Sequence, residues 1–195
     1  NFGNAYSAWF GRNHGLPINQ ILCSTNVNDV LRRFIDGGVL EPLVTQPSVA
    51  PSMDIQIPSS LERLIFDLSS DAKSFYDQLQ TNSKAQLDEK SVDGLQNVFS
   101  SITFPDERIT TLIKSLHDEF ALVFDPHSVT SIQMALDNNS SLPTVAVATA
   151  SPEKFGNVIA PLINGFTESK IEEKEQYLTL STENAEIIEA ILAFI

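Results

Sequence analysis

The residues best suited to chemistry stand at the very start of the chain: Asn1, Phe2, Gly3 and Asn4. Gly3 lets the backbone approach a ligand closely, and amides ahead of a helix offer an anion the positive end of its dipole. An ordinary turn with Asn4 as the helix cap explains the same four residues, so the loop alone leaves both readings open. A second polar group, Thr25, Asn26, Val27, Asn28 and Asp29, follows the short apolar run Ile18–Ser24, with Arg33 one turn further on. Such a corner, just beyond a strand, is where α/β sheets take their ligands. Asp29 as a helix cap and Arg33 as a salt bridge are the structural alternatives. Asp125, Pro126 and His127 make a third corner, where His127 also reads as a structural cap. Thr149 and Ala150 close the last apolar run, before Ser151 and Pro152.

Other chemistries are poorly served. His14, His117 and His127 are isolated, without carboxylates at ligand spacing, so no metal site is expected. His14 and His117 suit helix ends, where a dipole contact explains them. Cys23 is the single cysteine, which excludes an intrachain disulfide and a Cys-based zinc site. Ser128 and Ser151 lack a Gly-x-Ser-x-Gly frame, and Trp9 with Tyr6 and Phe10 reads as core. The formal charge of −13, with twelve scattered Lys and Arg, argues against nucleic acid as a partner. No apolar run has the length of a membrane span and no signal peptide is evident, so a reducing, cytoplasmic setting is expected. The first residue is not Met and the chain opens inside what reads as a motif, which suggests a fragment of a longer protein.

The elements that must position these residues alternate as in an α/β protein of mostly parallel strands. Asn4 would cap a helix over residues 5–14, ended by Gly15 and Pro17. Ile21, Leu22 and Cys23 in a row predict a strand buried on both faces, and Val30, Leu31, Phe34 and Ile35 a helix closed by Gly37 and Gly38. From Val39 to Ser60, Pro42, Pro47, Pro51 and Pro58 impose a long connection. Ser59 with Glu62 is a capping-box pair, opening a run of four helical patterns through residue 120 that reads as an insertion beside the sheet. Ala121–Phe124 and Thr144–Ala148 read as strands, Val129, Ile132 and Leu136 as a helix between them, and Ser151–Pro152 as the start of another through Leu162. An edge strand at Tyr177–Leu180 and an amphipathic helix with Ile187, Ile188, Ile191, Leu192 and Ile195 complete the pattern. The expected division is 1–58 and 121–165 as portions of one α/β unit, 59–120 as a helical insertion, and 166–195 as a terminal strand and helix.

These residues carry a family resemblance. Asn1–Asn4, Gly15–Pro17, Ser24–Asp29, Arg33–Phe34, Pro51–Ile55 and Glu62–Arg63 resemble consecutive blocks of threonine synthase. Asp125–Ser128 resembles its block before a helix, and Ala148–Phe155 its last strand and turn. The resemblance is dense over residues 1–68, recognisable over 121–163 and thin elsewhere.

It implies the C-terminal portion of a pyridoxal-phosphate enzyme of fold type II, a three-layer sheet of mostly parallel strands. The full-length enzyme would convert O-phosphohomoserine and water to L-threonine and phosphate, as a carbon–oxygen lyase acting on phosphates. By the same likeness Asn1, Phe2, Gly3 and Asn4 would bind the cofactor's phosphate. Thr149 would hydrogen-bond the pyridine nitrogen, a neutral partner that leaves the ring a milder electron sink than a carboxylate would. Asn26, Asn28, Asp29, Arg33 and His127 would stand on the substrate side of the cleft or beside the cofactor. The Schiff-base lysine lies upstream in the family and no lysine here sits in a matching motif, so the chain alone is expected to be inactive. Ser151 stands where the family commonly has His. Two other readings remain: another fold type II enzyme, a dehydratase or sulfhydrylase, and a non-catalytic α/β module that binds an anion.

Overall fold

The computed structural model describes residues 2–167 together with 185, 186, 188, 189 and 192. The chain is α/β. Helix α1 (Gly3–Asn13) leads to strand β1 (Ile21–Thr25), helix α2 (Val30–Gly37) and the short strand β2 (Val39–Leu40). A long loop with one 3-10 turn at Pro51–Met53 follows, then α3 (Leu61–Ser69), α4 (Ala72–Asn82), β3 (Ala85–Gln86) and α5 (Glu89–Gln96). Strand β4 (Phe99–Thr103), α6 (Asp106–Phe120), α7 (Ser128–Leu136), a second 3-10 turn (Pro152–Phe155) and the four-residue α8 (Gly156–Ile159) complete it. Among the described residues no helix is long and apolar enough to cross a membrane.

The organising feature is the parallel pairing of β1 with β4, in register from Ile21 opposite Phe99 to Thr25 opposite Thr103. Successive residues of a strand point to opposite faces, and here each face supplies its own core. Ile21 and Cys23 join Phe2, Trp9, Phe34 and Phe99, with α1 to α5 around them. Leu22 packs against the other core, built on Phe104 just after β4 and on Ile109, Ile113, Leu116, Val129 and Met134 from α6 and α7. Strands β2 and β3 form a separate antiparallel pair.

Several expectations are corrected. The 59–120 region is not purely helical and does not stand beside the sheet: it supplies β4, the parallel neighbour of β1. Phe99 therefore belongs to a strand and not to the preceding helix, which stops at Gln96. Ala121–Phe124 is not a strand: α6 runs to Phe120, Ala121 turns into the left-handed region at φ 55° and Leu122 is exposed. Thr144–Ala148 has no ladder partner among the described residues and is extended without being a strand, its Val145 and Val147 exposed. It lies along α7 instead, where Asn138 donates to the Thr144 hydroxyl (3.2 Å) and Ser131 to the Val147 carbonyl (3.3 Å).

The cap assignments change too. Helix α1 begins at Gly3 with Phe2, not Asn4, in the cap position and with no side-chain cap. Ser60, at φ 71°, and not Ser59 stands at the position before α3, and Ser60 makes no side-chain cap. After Ser151 the chain makes a 3-10 turn and a short helix rather than one helix through Leu162. The expected strand at Tyr177–Leu180 lies outside the described residues, as do Ile187, Ile191 and Ile195; Ile188 and Leu192 are helical.

Candidate functional site

The start of α1 is held by its cap residue. Phe2 is buried, its ring 5.8 Å from that of Phe99, and its N–H donates to the Ser59 carbonyl at 3.1 Å. The first helical bond runs from the Tyr6 amide to the Phe2 carbonyl at 2.9 Å. The amides of Gly3, Asn4 and Ala5 therefore precede the i→i−4 ladder and have no acceptor in it. The first turn carries no acidic residue, and nothing lies within 4 Å of where a Cβ on Gly3 would stand. Three directed donors, open space and the positive end of an eleven-residue helix suit an oxyanion such as the phosphate of a cofactor. Phe2 serves this turn by anchoring it, with its own amide already spent; Asn1 lies outside the described residues.

The polar corner after β1 does different work. Asn26 and Asn28 are buried, and both donate to Asp54 Oδ1, at 2.6 and 3.0 Å. Asn26 also donates to the Ser48 hydroxyl (2.7 Å), while Asn28 exchanges bonds with the Gln46 backbone, both 2.8 Å. Ser48 reaches Asp54 through its hydroxyl (2.7 Å) and its amide (3.0 Å). The two asparagines thus clamp the loop over residues 46–56 onto the end of β1. Asp29 pairs with Arg33 (2.9 Å) and Arg32 (3.2 Å), and Arg33 donates as well to the Glu41 carbonyl (3.0 Å). Arg33 is therefore committed to fastening the start of that loop.

His127 is buried and bonded at both ring nitrogens: Nδ1 to Asp125 Oδ1 at 2.7 Å, Nε2 accepting the Ser52 amide at 3.1 Å. An imidazole placed between a carboxylate and an N–H donor is the Nδ1–H tautomer. Burial opposes ionisation of Asp125, but hydrogen bonds from the His127 and Ser128 side chains and from the His127 amide outweigh it and hold its pKa below the ordinary carboxylate value. His127 stands at the cap position of α7 without a cap bond from its own side chain; Asp125 supplies it, its Oδ1 accepting the amides of His127 (2.9 Å) and Ser128 (3.4 Å). The His127 ring also lies 4.7 Å from that of Phe155, just beyond the Thr149 turn. Thr149 itself is exposed, its amide donating to the buried Ser128 hydroxyl at 2.9 Å, so α7 sets its position.

Residues 2–4 and Thr149 are thus held by different elements: the former through Phe2, by the approach to α3 and the core around Phe99, the latter by α7. A small cavity of about 70 Å³ lies at the carboxyl end of β1, lined by Ser24, Thr25, Asn28, Val30, Leu31, Met53, Ile55 and Pro58. Cys23, one residue earlier, faces the core, and burial pushes its thiol up to about 12, which removes it as a nucleophile. Composition had one signal for the residue that organises this region: Asp54 is the single charged residue between Glu41 and Glu62.

No family model matches the chain. It is similar to curated threonine synthases, among them that of Pseudomonas aeruginosa, 29% identical over 96% of this chain and 43% of the relative. The threonine synthase of Saccharomyces cerevisiae is 28% identical over 93% of this chain and 40% of the relative. Among solved structures, the PLP-bound threonine synthase from Brucella melitensis superposes with a TM-score of 0.81 at 26% identity, over 98% of this chain and 44% of that one. The chain spans less than half the length of the curated relatives it matches. Sequence and fold thus agree, over nearly the whole length of this chain, in its similarity to part of the threonine synthases.

Proposed function

We propose that this chain is part of a pyridoxal-phosphate-dependent threonine synthase of fold type II, which converts O-phosphohomoserine and water to L-threonine and phosphate. The observation that carries the reading is the match to threonine synthases along 96% of the chain, with a fold neighbour whose structure holds PLP. The start of α1 supports it, because the three ladder-free amides and the space over Gly3 suit the cofactor's phosphate. Other fold type II enzymes and a non-catalytic anion-binding module gain no comparable support.

In this reading the amides at Gly3, Asn4 and Ala5 hold the phosphate, and Phe2 anchors the turn that presents them. When bound, pyridoxal phosphate supplies an electron sink for the substrate's carbanion. The Thr149 hydroxyl orients the ring by hydrogen-bonding its nitrogen, and as a neutral group adds no charge there. Asn26, Asn28, Asp29, Arg33 and His127 serve the cleft by holding its walls, as their committed hydrogen bonds suit them to do. None of the chain's lysines is assigned as the lysine that bonds the cofactor, so the activity is that of the full-length protein.

The test is phosphate release from O-phosphohomoserine by the full-length protein, with threonine identified as the co-product. The rate should depend on added pyridoxal phosphate after the protein has been stripped of it. A protein that takes up no pyridoxal phosphate would exclude the enzyme reading, and release of ammonia or use of sulfide instead would favour a dehydratase or a sulfhydrylase.

A further inference from the structure

One carboxylate gathers much of the hydrogen bonding that holds the loop lining the cavity at the end of β1. Four donors converge on Asp54: the Asn26 and Asn28 side-chain amides and the Ser48 hydroxyl on Oδ1, and the Ser48 amide on Oδ2. Among the described residues Asp54 forms no salt bridge, so N–H and O–H groups alone balance its charge. Every neighbour donates, and an ionised carboxylate is the side chain that only accepts. Met53 and Ile55, on either side of Asp54, both line the cavity, as does Asn28, which bonds Asp54. Asp54 is the middle residue of a tight turn, in which the Ile55 N–H donates to the Met53 carbonyl at 2.8 Å, so holding Asp54 on the corner fixes both of its neighbours at the cavity.

We propose that Asp54 is a positioning residue for the substrate: its carboxylate latches the loop over residues 46–56 to Asn26 and Asn28, and thereby sets Met53 and Ile55 as the apolar wall of the substrate cleft. The position of the cleft, beyond the carboxyl end of a parallel strand, is where α/β sheets receive their ligands. The substrate assignment rests on the function proposed above; the latch itself does not.

Asp54→Asn keeps the shape but aims an N–H at groups that are themselves donors. In the full-length protein it should raise KM for O-phosphohomoserine about ten-fold or more while kcat stays within about three-fold, the pattern of lost substrate positioning. Amide hydrogen exchange over residues 46–56 should accelerate, with pyridoxal-phosphate uptake unchanged. Ser48→Ala, which removes one of the four donors, should move KM and exchange in the same direction by less, and it decides the matter should Asp54→Asn not fold. Unchanged KM and exchange would overturn the proposal. So would an equal fall in kcat and cofactor uptake at constant KM, the mark of a merely structural role. If the wild-type protein releases no phosphate, the functional reading fails and exchange over residues 46–56 alone judges the latch.

Discussion

Gly3 is the residue on which the cofactor reading can be tried most directly. A Cβ there meets nothing within 4 Å, and the first turn of α1 is free of acidic residues, so Gly3→Asp fits sterically and places a negative charge where a helix favours one. Folding should survive, with the melting temperature unchanged or slightly raised. A bound phosphate would meet that carboxylate at close range, a repulsion of about 4 kcal/mol for unit charges ~4 Å apart at an effective dielectric near 20. Affinity for pyridoxal phosphate in the full-length protein, measured by equilibrium dialysis, should fall about 100-fold or more. Undiminished affinity in a folded variant would place the phosphate elsewhere. At this scale the sequence announced which residues were polar and clustered, but not what they face. Asn26 and Asn28 read as cleft residues because they follow a strand; their amides turn to Asp54 and the loop, contacts 18 to 28 residues away in sequence that no local pattern encodes. His127 was ambiguous for the same reason, its partner Ser52 lying 75 residues upstream.

Elements were readable where local chemistry and tertiary packing agreed. The stretch from β1 through the corner to α2 follows its apolar pattern, and α2 ends where two glycines stand. Strand β4 was missed because Phe-Ser-Ser-Ile-Thr has two serines at its centre and follows a helical stripe; pairing with β1, not its own pattern, makes it a strand. Thr144–Ala148 errs the other way, since strand composition without a ladder partner gives only an extended segment. The two glycines at the end of α2 allow a test within one element. Gly37 is the last helical residue and a Cβ there meets nothing, so Gly37→Ala should stabilise by up to about 1 kcal/mol through lower chain entropy. Gly38 sits at φ 69°, and its Cβ would stand 2.3 Å from Val92 Cγ2 of α5. Left-handed strain and overpacking together should make Gly38→Ala cost about 2–4 kcal/mol. Urea midpoints moving in opposite directions for adjacent glycines would bear this out; equal shifts would refute the α2–α5 packing.

For the whole molecule the question is whether the two cores act as one. They share β1, whose Leu22 faces one core while Ile21 and Cys23 face the other, and the Phe104 amide donates to the Thr25 carbonyl at 2.7 Å, tying the far core to the strand's end. Composition cannot tell one large core from two small ones, because that depends on the β1–β4 pairing. Trp9, the single tryptophan, reports on one core alone: it is buried, its ring 5.7 Å from that of Phe99, and its Nε1 donates to Asp67 at 2.9 Å. Phe104 belongs wholly to the other and is fully buried, so Phe104→Ala should cost about 3–5 kcal/mol. If the shared strand couples the cores, Trp9 fluorescence and far-UV circular dichroism of this chain will give one coincident urea transition, and Phe104→Ala will move both midpoints equally. A circular dichroism transition that splits while the Trp9 midpoint stays in place would show that β1 joins two cores which unfold separately.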